Sequence, residues 1–182
     1  MTQQNTRFGF LPVLIVVGVA VVGFSVWIRT AIQPPGSGNL QRGQPLPEIK
    51  ALGWLNGEGP TAESLKGKVV VVEAWATWCK PCIDAIPHVK SVHKKYSKKG
   101  VVFISLTNEG RDDISKINKI IEHTEMAWPV GYGATETLVA LEAVTIPSMW
   151  IVGPNGVIVW NGDPRDEFEA EIDKALALAP AK

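Results

Sequence analysis

Runs of mostly hydrophobic residues alternate along the chain with segments in which hydrophobic residues recur every three or four positions. The runs 68–76 and 101–106 predict strands buried on both faces, as in parallel sheets covered by helices. One acidic residue, Glu73, interrupts the first run. The segments 81–99 and 112–122 have the helical period and predict amphipathic helices. This alternation indicates an α/β domain.

Shorter segments complete the predicted order of elements. Glycine, proline and asparagine at 153–156 indicate a hairpin between two strands. Pro87 predicts a kink in the first main helix, and Asp112 or Asp113 is the expected cap of the second. Further strands are expected at 49–54, 126–130, 148–152 and 157–160, and further helices at 61–67, 135–143 and 165–178. Alternating strands and helices, then a hairpin and a closing helix, predict helices that cover a mixed sheet.

A segment near the N-terminus has the length of a membrane-spanning helix. Residues 8–28 carry no charge and are bracketed by Arg7 and Arg29. A cleaved signal peptide is the alternative, but its apolar core is usually shorter and ends in a small-x-small cleavage site. Here the run ends at Trp27 and Ile28, and a tryptophan suits the membrane interface. We therefore expect residues 1–29 to form an uncleaved signal anchor.

The chain after this predicted anchor divides into a tether and one domain. Residues 30–44 are rich in proline and glycine, which indicates a partly stiff, partly flexible linker. Residues 45–182 are long enough to bury one hydrophobic core. Basic residues flank the anchor on both sides, so the charge pattern does not decide its orientation. The cysteine chemistry favours an N-terminus inside the cell and a domain outside, where disulfides persist.

The chemistry of the domain centres on the segment Trp78-Cys79-Lys80-Pro81-Cys82, which holds both cysteines of the chain. If a helix begins here, the first sulfur lies at its N-terminus, where the helix dipole favours the thiolate that attacks disulfides. Lys80 either favours this thiolate or is simply exposed. The loop between the sulfurs is too short to stabilise the fold much, so redox catalysis, metal binding and a chance spacing remain. A helix would carry His88 more than a turn away, so we do not expect it to be a metal ligand.

Three further features belong with this pair: an acid, two flanking tryptophans and a proline. An ionised Glu73 would be costly inside a buried strand, so its pKa should be raised and it can accept the proton of the second thiol. The alternative, an outward-facing and solvated Glu73, fits poorly with the hydrophobic residues on both sides. Trp78 offers a flat contact for an extended substrate, whereas Trp75 is expected in the core. Pro147 comes directly before a strand, and the spacing alone favours a trans bond with Ile146.

These motifs resemble the thioredoxin superfamily, and within it the membrane-anchored TlpA/ResA-like thiol–disulfide oxidoreductases of bacteria. The resemblance covers roughly residues 45–178. It is carried by Ser64-Leu65-Lys66-Gly67-Lys68 before Val69, Ala74-Trp75-Ala76-Thr77-Trp78-Cys79-Lys80-Pro81-Cys82, Pro87, Thr145-Ile146-Pro147 and Gly153-Pro154-Asn155-Gly156. It implies a thioredoxin fold, with a mixed central sheet flanked by helices and a central helical insertion at about 108–142.

The resemblance also implies roles for single residues. Cys79 would be the exposed attacking nucleophile and Cys82 the buried resolving thiol. Glu73 falls where thioredoxins carry a buried acid, and Pro147 falls at their cis-proline, beside which the backbone of Ile146 would pair with an extended substrate. Lys80 and Pro81, between the two cysteines, would tune the pair. Some relatives carry a further acid three residues after the second cysteine, where this chain has alanine.

The expected function is that of an exported reductase of protein disulfides, which needs no cofactor besides the disulfide and is re-reduced by a membrane electron donor. We expect a monomer with a single pass through the bacterial cytoplasmic membrane and a domain facing the periplasm or the cell exterior. Cytochrome c apoproteins, copper-site assembly proteins and general periplasmic thiols all fit as substrates. The charge balance of 18 basic and 18 acidic residues gives no reason to expect nucleic acid as a partner.

Two alternatives use the same thiols. Cys79 and Cys82 could form a linear Cu(I) site and deliver the metal, although Met126 and Met149 are distant from them in sequence. A peroxidase of the peroxiredoxin type is also related by fold. That chemistry usually needs Pro-x-x-x-Thr-x-x-Cys, whereas Thr77 lies two residues before Cys79 with no proline at the required spacing.

Overall fold

The computed structural model of the protein describes residues 42–179, whose six strands form one mixed sheet. The strands are β1 (Gly53–Leu55), β2 (Val70–Ala74), β3 (Val102–Leu106), β4 (Val130–Tyr132), β5 (Ser148–Val152) and β6 (Ile158–Gly162). Their order across the sheet is β1-β4-β3-β2-β5-β6. Strands β2, β3 and β4 are parallel, whereas β1, β5 and β6 run antiparallel to their neighbours. The predicted α/β fold with a mixed sheet is confirmed.

Helices cover both faces of this sheet. They are α1 (Ala62–Leu65), α2 (Lys80–Tyr96), α3 (Ile114–Thr124), α4 (Thr135–Ala140) and α5 (Glu169–Ala177). Side chains alternate along β2, so Val69 and Val71 pack with α2, α3 and α5, while Val70 and Val72 pack against α1 and α4 on the opposite face. The predicted insertion, residues 108–142, contains α3, β4 and α4.

Several predicted elements and caps differ from the structure. The strand expected at 49–54 is confined to β1 (Gly53–Leu55). The last helix begins at Glu169 rather than at 165, because the Asp163 carboxylate binds the backbone N–H and Nε of Arg165 and holds a turn there. Asp113 occupies the cap position of α3, but its carboxylate accepts from Lys116 Nζ at 2.8 Å instead of capping the helix. The strand expected at 126–130 lies at β4 instead, since Pro129 can accept from Ser105 but has no N–H to donate.

The predicted signal anchor and most of the predicted tether lie outside the described residues. Among the helices between residues 42 and 179, none has the length and apolar character needed to cross a bilayer.

Candidate active site around the cysteine pair

The two cysteines form a disulfide at the N-terminus of α2. Cys79 is the N-cap residue, and its Sγ accepts a hydrogen bond from the backbone N–H of Cys82 at 3.2 Å. The predicted location of the first sulfur is therefore confirmed. When the disulfide opens, this N–H and the positive end of the helix dipole both stabilise a thiolate on Cys79.

The exposure of Cys79 differs from what the resemblance implied, whereas the burial of Cys82 agrees with it. Cys79 is only 4% exposed and Cys82 is fully buried, so the expectation of an exposed nucleophile is wrong for this disulfide state. The Cys79 sulfur is turned inward because it bonds to the buried sulfur and accepts the N–H of Cys82. The neighbouring Trp78 points outward and is 72% exposed. Cys79 is still the more accessible of the two sulfur-bearing residues.

The two residues between the cysteines lie in the first turn of α2. Pro81 fits there because the first N–H groups of a helix have no intrahelical partner. Lys80 is exposed, and its Nζ pairs with the Asp84 carboxylate at 2.6 Å. Its positive charge is thus paired with an acid one turn along the helix. A role of Lys80 in favouring the Cys79 thiolate stays a prediction.

Glu73 is buried in the middle of β2, as predicted. Strand alternation places its side chain with Val71, on the face of the sheet that carries the cysteines. Burial raises the pKa of Glu73 to about 7, and a hydrogen bond from Ser105 Oγ to Oε2 opposes this rise. Oε1 has no hydrogen-bond partner among the described residues. A carboxyl group that titrates near neutral pH can both accept and release a proton under ordinary conditions.

The loop before β5 contains the predicted cis-proline. The bond between Ile146 and Pro147 is cis, as the resemblance implied and the spacing alone did not. Within residues 42–179, the backbone N–H and C=O of Ile146 take part in none of the loop hydrogen bonds or strand pairs. Val144, two residues earlier, is 74% exposed. An unpaired backbone segment beside an apolar side chain has the character of a site for an extended peptide.

Glu109, which was not among the predicted site residues, holds the segment leading into the cysteines. Its carboxylate accepts from the Thr77 backbone N–H at 2.8 Å, from the Thr77 hydroxyl, and from the Thr107 hydroxyl at 2.9 Å. Its own carbonyl accepts from Gly133 N–H at 2.7 Å. Glu109 thereby connects the loop after β3 to the residue two positions before Cys79. Nothing in the local pattern around Glu109 signals this contact, which spans 32 residues.

We expect Glu109→Ala to lower the free energy of unfolding by about 2–3 kcal/mol, because three hydrogen bonds to a charged group are lost. Glu109→Gln should cost less, since an amide oxygen still accepts. Urea unfolding at pH 7 measures both changes, with Glu58→Ala as the control because Glu58 is exposed. A loss for Glu109→Ala no larger than that of the control would contradict this role.

The structure does not place His88 beside the cysteines as a ligand. His88 Nδ1 lies 3.1 Å from the carbonyl of Pro164, and Nε2 lies 3.9 Å from Oε2 of Glu169. Glu167 completes a group whose possible ligand atoms lie within 4.8 Å of one another. The side chains are half-buried or exposed, and such groups are common without an ion. We therefore assign no metal site to them.

Comparisons with known proteins agree with this geometry. The model of the AhpC/TSA family matches residues 42–161. The thioredoxin-like protein YneN of Bacillus subtilis (strain 168) is 26% identical over 141 residues, which cover 77% of this chain and 82% of YneN. The thiol-disulfide oxidoreductase ResA of Bacillus thuringiensis (strain Al Hakam) is 24% identical over 158 residues, 86% of this chain and 88% of ResA.

Solved structures with the same fold are also similar to the chain. A thiol:disulfide interchange protein of the thioredoxin family from Chlorobium tepidum TLS has a TM-score of 0.59 at 23% identity, covering 76% of this chain and 99% of that one. The thioredoxin-like superfamily protein SPOA0173 has a TM-score of 0.66 at 24% identity, covering 75% and 99%. These likenesses establish a thioredoxin-like fold.

The predicted resemblance and enzyme class, a thioredoxin-like thiol–disulfide oxidoreductase, are confirmed at the level of family, fold and cysteine pair. The match covers most of the described residues, including β2, the disulfide and the cis-proline. The chain belongs to the AhpC/TSA family of thioredoxin-like proteins.

Proposed function

We propose that the protein is a reductase of protein disulfides in which Cys79 attacks and Cys82 resolves. The observation that carries this proposal is the hydrogen bond from Cys82 N–H to Cys79 Sγ at the start of α2, since it favours a thiolate on Cys79 alone. Relatives named thiol-disulfide oxidoreductase support the same reaction class.

The proposed reaction has two steps. The Cys79 thiolate attacks a substrate disulfide, forms a mixed disulfide and releases one substrate sulfur as a thiolate, which takes a proton from water. Cys82 then gives its proton to Glu73 and attacks Cys79 Sγ. This forms the Cys79–Cys82 disulfide and releases the second substrate sulfur as a thiolate, which is also protonated. The substrate disulfide is reduced by two electrons and the cysteine pair is oxidised by two.

The substrate is proposed to be a protein segment in extended conformation. Such a segment can pair as an added strand with the unpaired backbone of Ile146 next to cis-Pro147. The exposed Trp78 ring can contact the segment on the side of Cys79. Maturation of cytochrome c or of metal sites is the proposed setting. The predicted anchor, with the domain outside the bacterial cytoplasmic membrane, would place the protein near a membrane electron donor that re-reduces the pair.

The reductase proposal predicts a reduction potential below about −200 mV, nearer to thioredoxin at about −270 mV than to the oxidant DsbA at about −120 mV. Equilibration of the described domain with glutathione or thioredoxin buffers, followed by thiol quantification, measures it. A potential close to that of DsbA would exclude a reductase and indicate an oxidase of thiols instead.

The structure disfavours the peroxidase alternative. The Thr77 hydroxyl and the Thr77 N–H both donate to the Glu109 carboxylate. The hydroxyl proton is therefore engaged within the protein and is not available to bind a peroxide beside Cys79. The Cu(I) alternative still rests on the sequence alone. No contact among the described residues favours Cu(I) binding over thiol exchange.

A further inference from the structure

A buried chain of three polar side chains connects the acid of β2 to the segment before β4. Trp128 Nε1 lies 2.8 Å from Ser105 Oγ, and Ser105 Oγ lies 2.8 Å from Glu73 Oε2. Glu73 and Ser105 are partners in the register of β2 and β3. The three residues are at most 2% exposed, so water does not replace these bonds. We call Glu73, Ser105 and Trp128 the buried relay.

The chemistry of the three groups determines which of them donates and which accepts in each hydrogen bond of the buried relay. An indole N–H can only donate, so Ser105 Oγ must be the acceptor from Trp128. The Ser105 hydroxyl has one proton, and Glu73 Oε2 is its only hydrogen-bond acceptor among the described residues. If Oε2 were protonated and donated to Ser105, the serine proton would be left unpaired in the core, which is costly.

The two carboxyl oxygens of Glu73 are therefore not equivalent. Oε2 accepts from Ser105, whereas Oε1 has no partner among residues 42–179. We propose that Ser105, held by Trp128, is a positioning residue that keeps Oε2 as a permanent acceptor and leaves Oε1 as the oxygen that takes up and releases the proton. In the proposed reaction, the proton of the Cys82 thiol passes to Oε1 as Cys82 attacks Cys79.

Trp128 is held tightly enough for this role. Its ring centroid lies 5.1 Å from that of His93 on α2 and 6.3 Å from that of Phe103 on β3. Its carbonyl accepts from Asn56 Nδ2 at 3.1 Å, and the same amide donates to the Met126 carbonyl at 2.7 Å. Because the indole cannot turn without breaking this packing, the Ser105 hydroxyl keeps its orientation. The insertion between β3 and β4 thus takes part in the chemistry of the acid.

The surroundings of Glu73 allow its titration to be followed separately from that of other ionisable groups. Burial raises its pKa and Ser105 lowers it, and no charged side chain between residues 42 and 179 contributes to either shift. From β5, the register partner is the apolar Met149, and from α2, the cysteines do not titrate while they form the disulfide. His93 is the titratable side chain in contact with Trp128, and burial lowers its pKa.

The inference rests on the proposed function for its use in catalysis, but its test does not require activity. The oxidised protein is labelled with ¹³Cδ-glutamate, and the resonance that a Glu73→Gln variant lacks is followed against pH. A glutamate-specific label keeps the titration of His93 out of the signal. We expect Ser105→Ala to raise the inflection by about 1 pH unit, the size expected when one hydrogen bond to a charged group is lost.

Conservative variants separate the positioning effect of Ser105 on Glu73 from a general loss of core packing. Ser105→Thr keeps the hydroxyl and should restore the parental inflection. Trp128→Phe keeps an aromatic ring but removes the N–H that donates to Ser105, so it should raise the inflection by less than Ser105→Ala does. This variant carries the test if Ser105→Ala does not fold. Thr137→Val removes another buried hydroxyl, which binds the segment 48–50, and should leave the inflection unchanged.

The outcomes are distinct. An unchanged inflection in folded Ser105→Ala overturns the proposal, as does Trp128→Phe protein that titrates like the parent. If the inflection rises as expected but the reduced parent protein fails to reduce disulfides, the buried relay stands and the proposed function fails. If disulfides are reduced while both relay variants titrate like the parent, the proposed function stands and this inference fails.

Discussion

We expect a Cys82→Ser variant to accumulate as a mixed disulfide with its substrates and its steady-state turnover to fall by about 1,000-fold or more. The first step survives because Cys79 keeps its place at the N-terminus of α2, and the serine keeps the backbone N–H that stabilises the thiolate. The second step fails because a serine hydroxyl is not acidic enough to displace a sulfur at neutral pH. The trapped species is joined to the substrate through Cys79.

Non-reducing electrophoresis and mass spectrometry of the full chain expressed in cells measure the trapped complexes and identify their partners. Cys79→Ser is the matched control, since it retains one thiol at nearly the same place but should trap nothing, because Cys82 is fully buried. Equal trapping by the two variants would refute the assignment of attacking and resolving roles. A Cys82→Ser protein with normal turnover would refute the reductase itself.

The elements around the site could be predicted because the signals lie close together along the chain. The run 68–76 predicts a buried strand, and an acid within it predicts a buried carboxyl; both are found in β2. Cysteines followed by a helical period predict a disulfide at a helix N-terminus. The cis bond before Pro147 came only from the family resemblance, because a local sequence does not determine the isomer.

The groups that prepare the site for chemistry could not be predicted in this way. Glu109 meets Thr77 across 32 residues, and Ser105 meets Trp128 across 23, so each contact depends on how strands and loops stack in the fold. One signal was available for Ser105: it is a hydroxyl inside a run expected to be buried, and such a hydroxyl must find a partner. The low exposure of Cys79 was not predicted, because it depends on how its sulfur turns towards Cys82 in the folded disulfide.

The structure also explains why an acid can be kept in such a costly position. Among residues 42–179, no cation offsets the charge of the Glu73 carboxylate, whose burial destabilises the fold. The hydrogen bond from Ser105 offsets only part of that cost. A residue selected for stability alone would be apolar, like Val71 on the same face. Glu73 therefore makes sense as a functional group, and its removal should separate stability from activity.

In the oxidised protein, Glu73→Gln should change the pH dependence of stability by about 3 kcal/mol. The pKa of Glu73 is raised from 4.5 to about 7, so the folded state holds this proton more tightly than the unfolded state. The parent protein is then most stable, as far as Glu73 is concerned, below about pH 4.5. It loses stability as pH rises towards 7 and loses no more above that, and the interval corresponds to about 3 kcal/mol.

Glutamine lacks this titration, so the stability of the variant relative to the parent should rise by that amount between pH 4 and pH 8. The cost of burying the amide is the same at both values and cancels in the comparison. Urea unfolding of the oxidised proteins gives the difference, with Glu122→Gln as the control because Glu122 is exposed. A Glu73→Gln protein whose stability follows the parent at every pH would show that Glu73 does not titrate near neutrality.

The same variant should be the poorer catalyst, because the Cys82 thiol loses the group that accepts its proton. At pH 7 we expect resolution of a preformed mixed disulfide to slow by about 100-fold, while the initial attack by Cys79 changes little, since that sulfur relies on the helix N-terminus instead. Stopped-flow measurement of each step, on the reduced protein and on the preformed mixed disulfide, separates the two rates. Equal slowing of both steps would place Glu73 outside proton transfer and make it a general influence on the site.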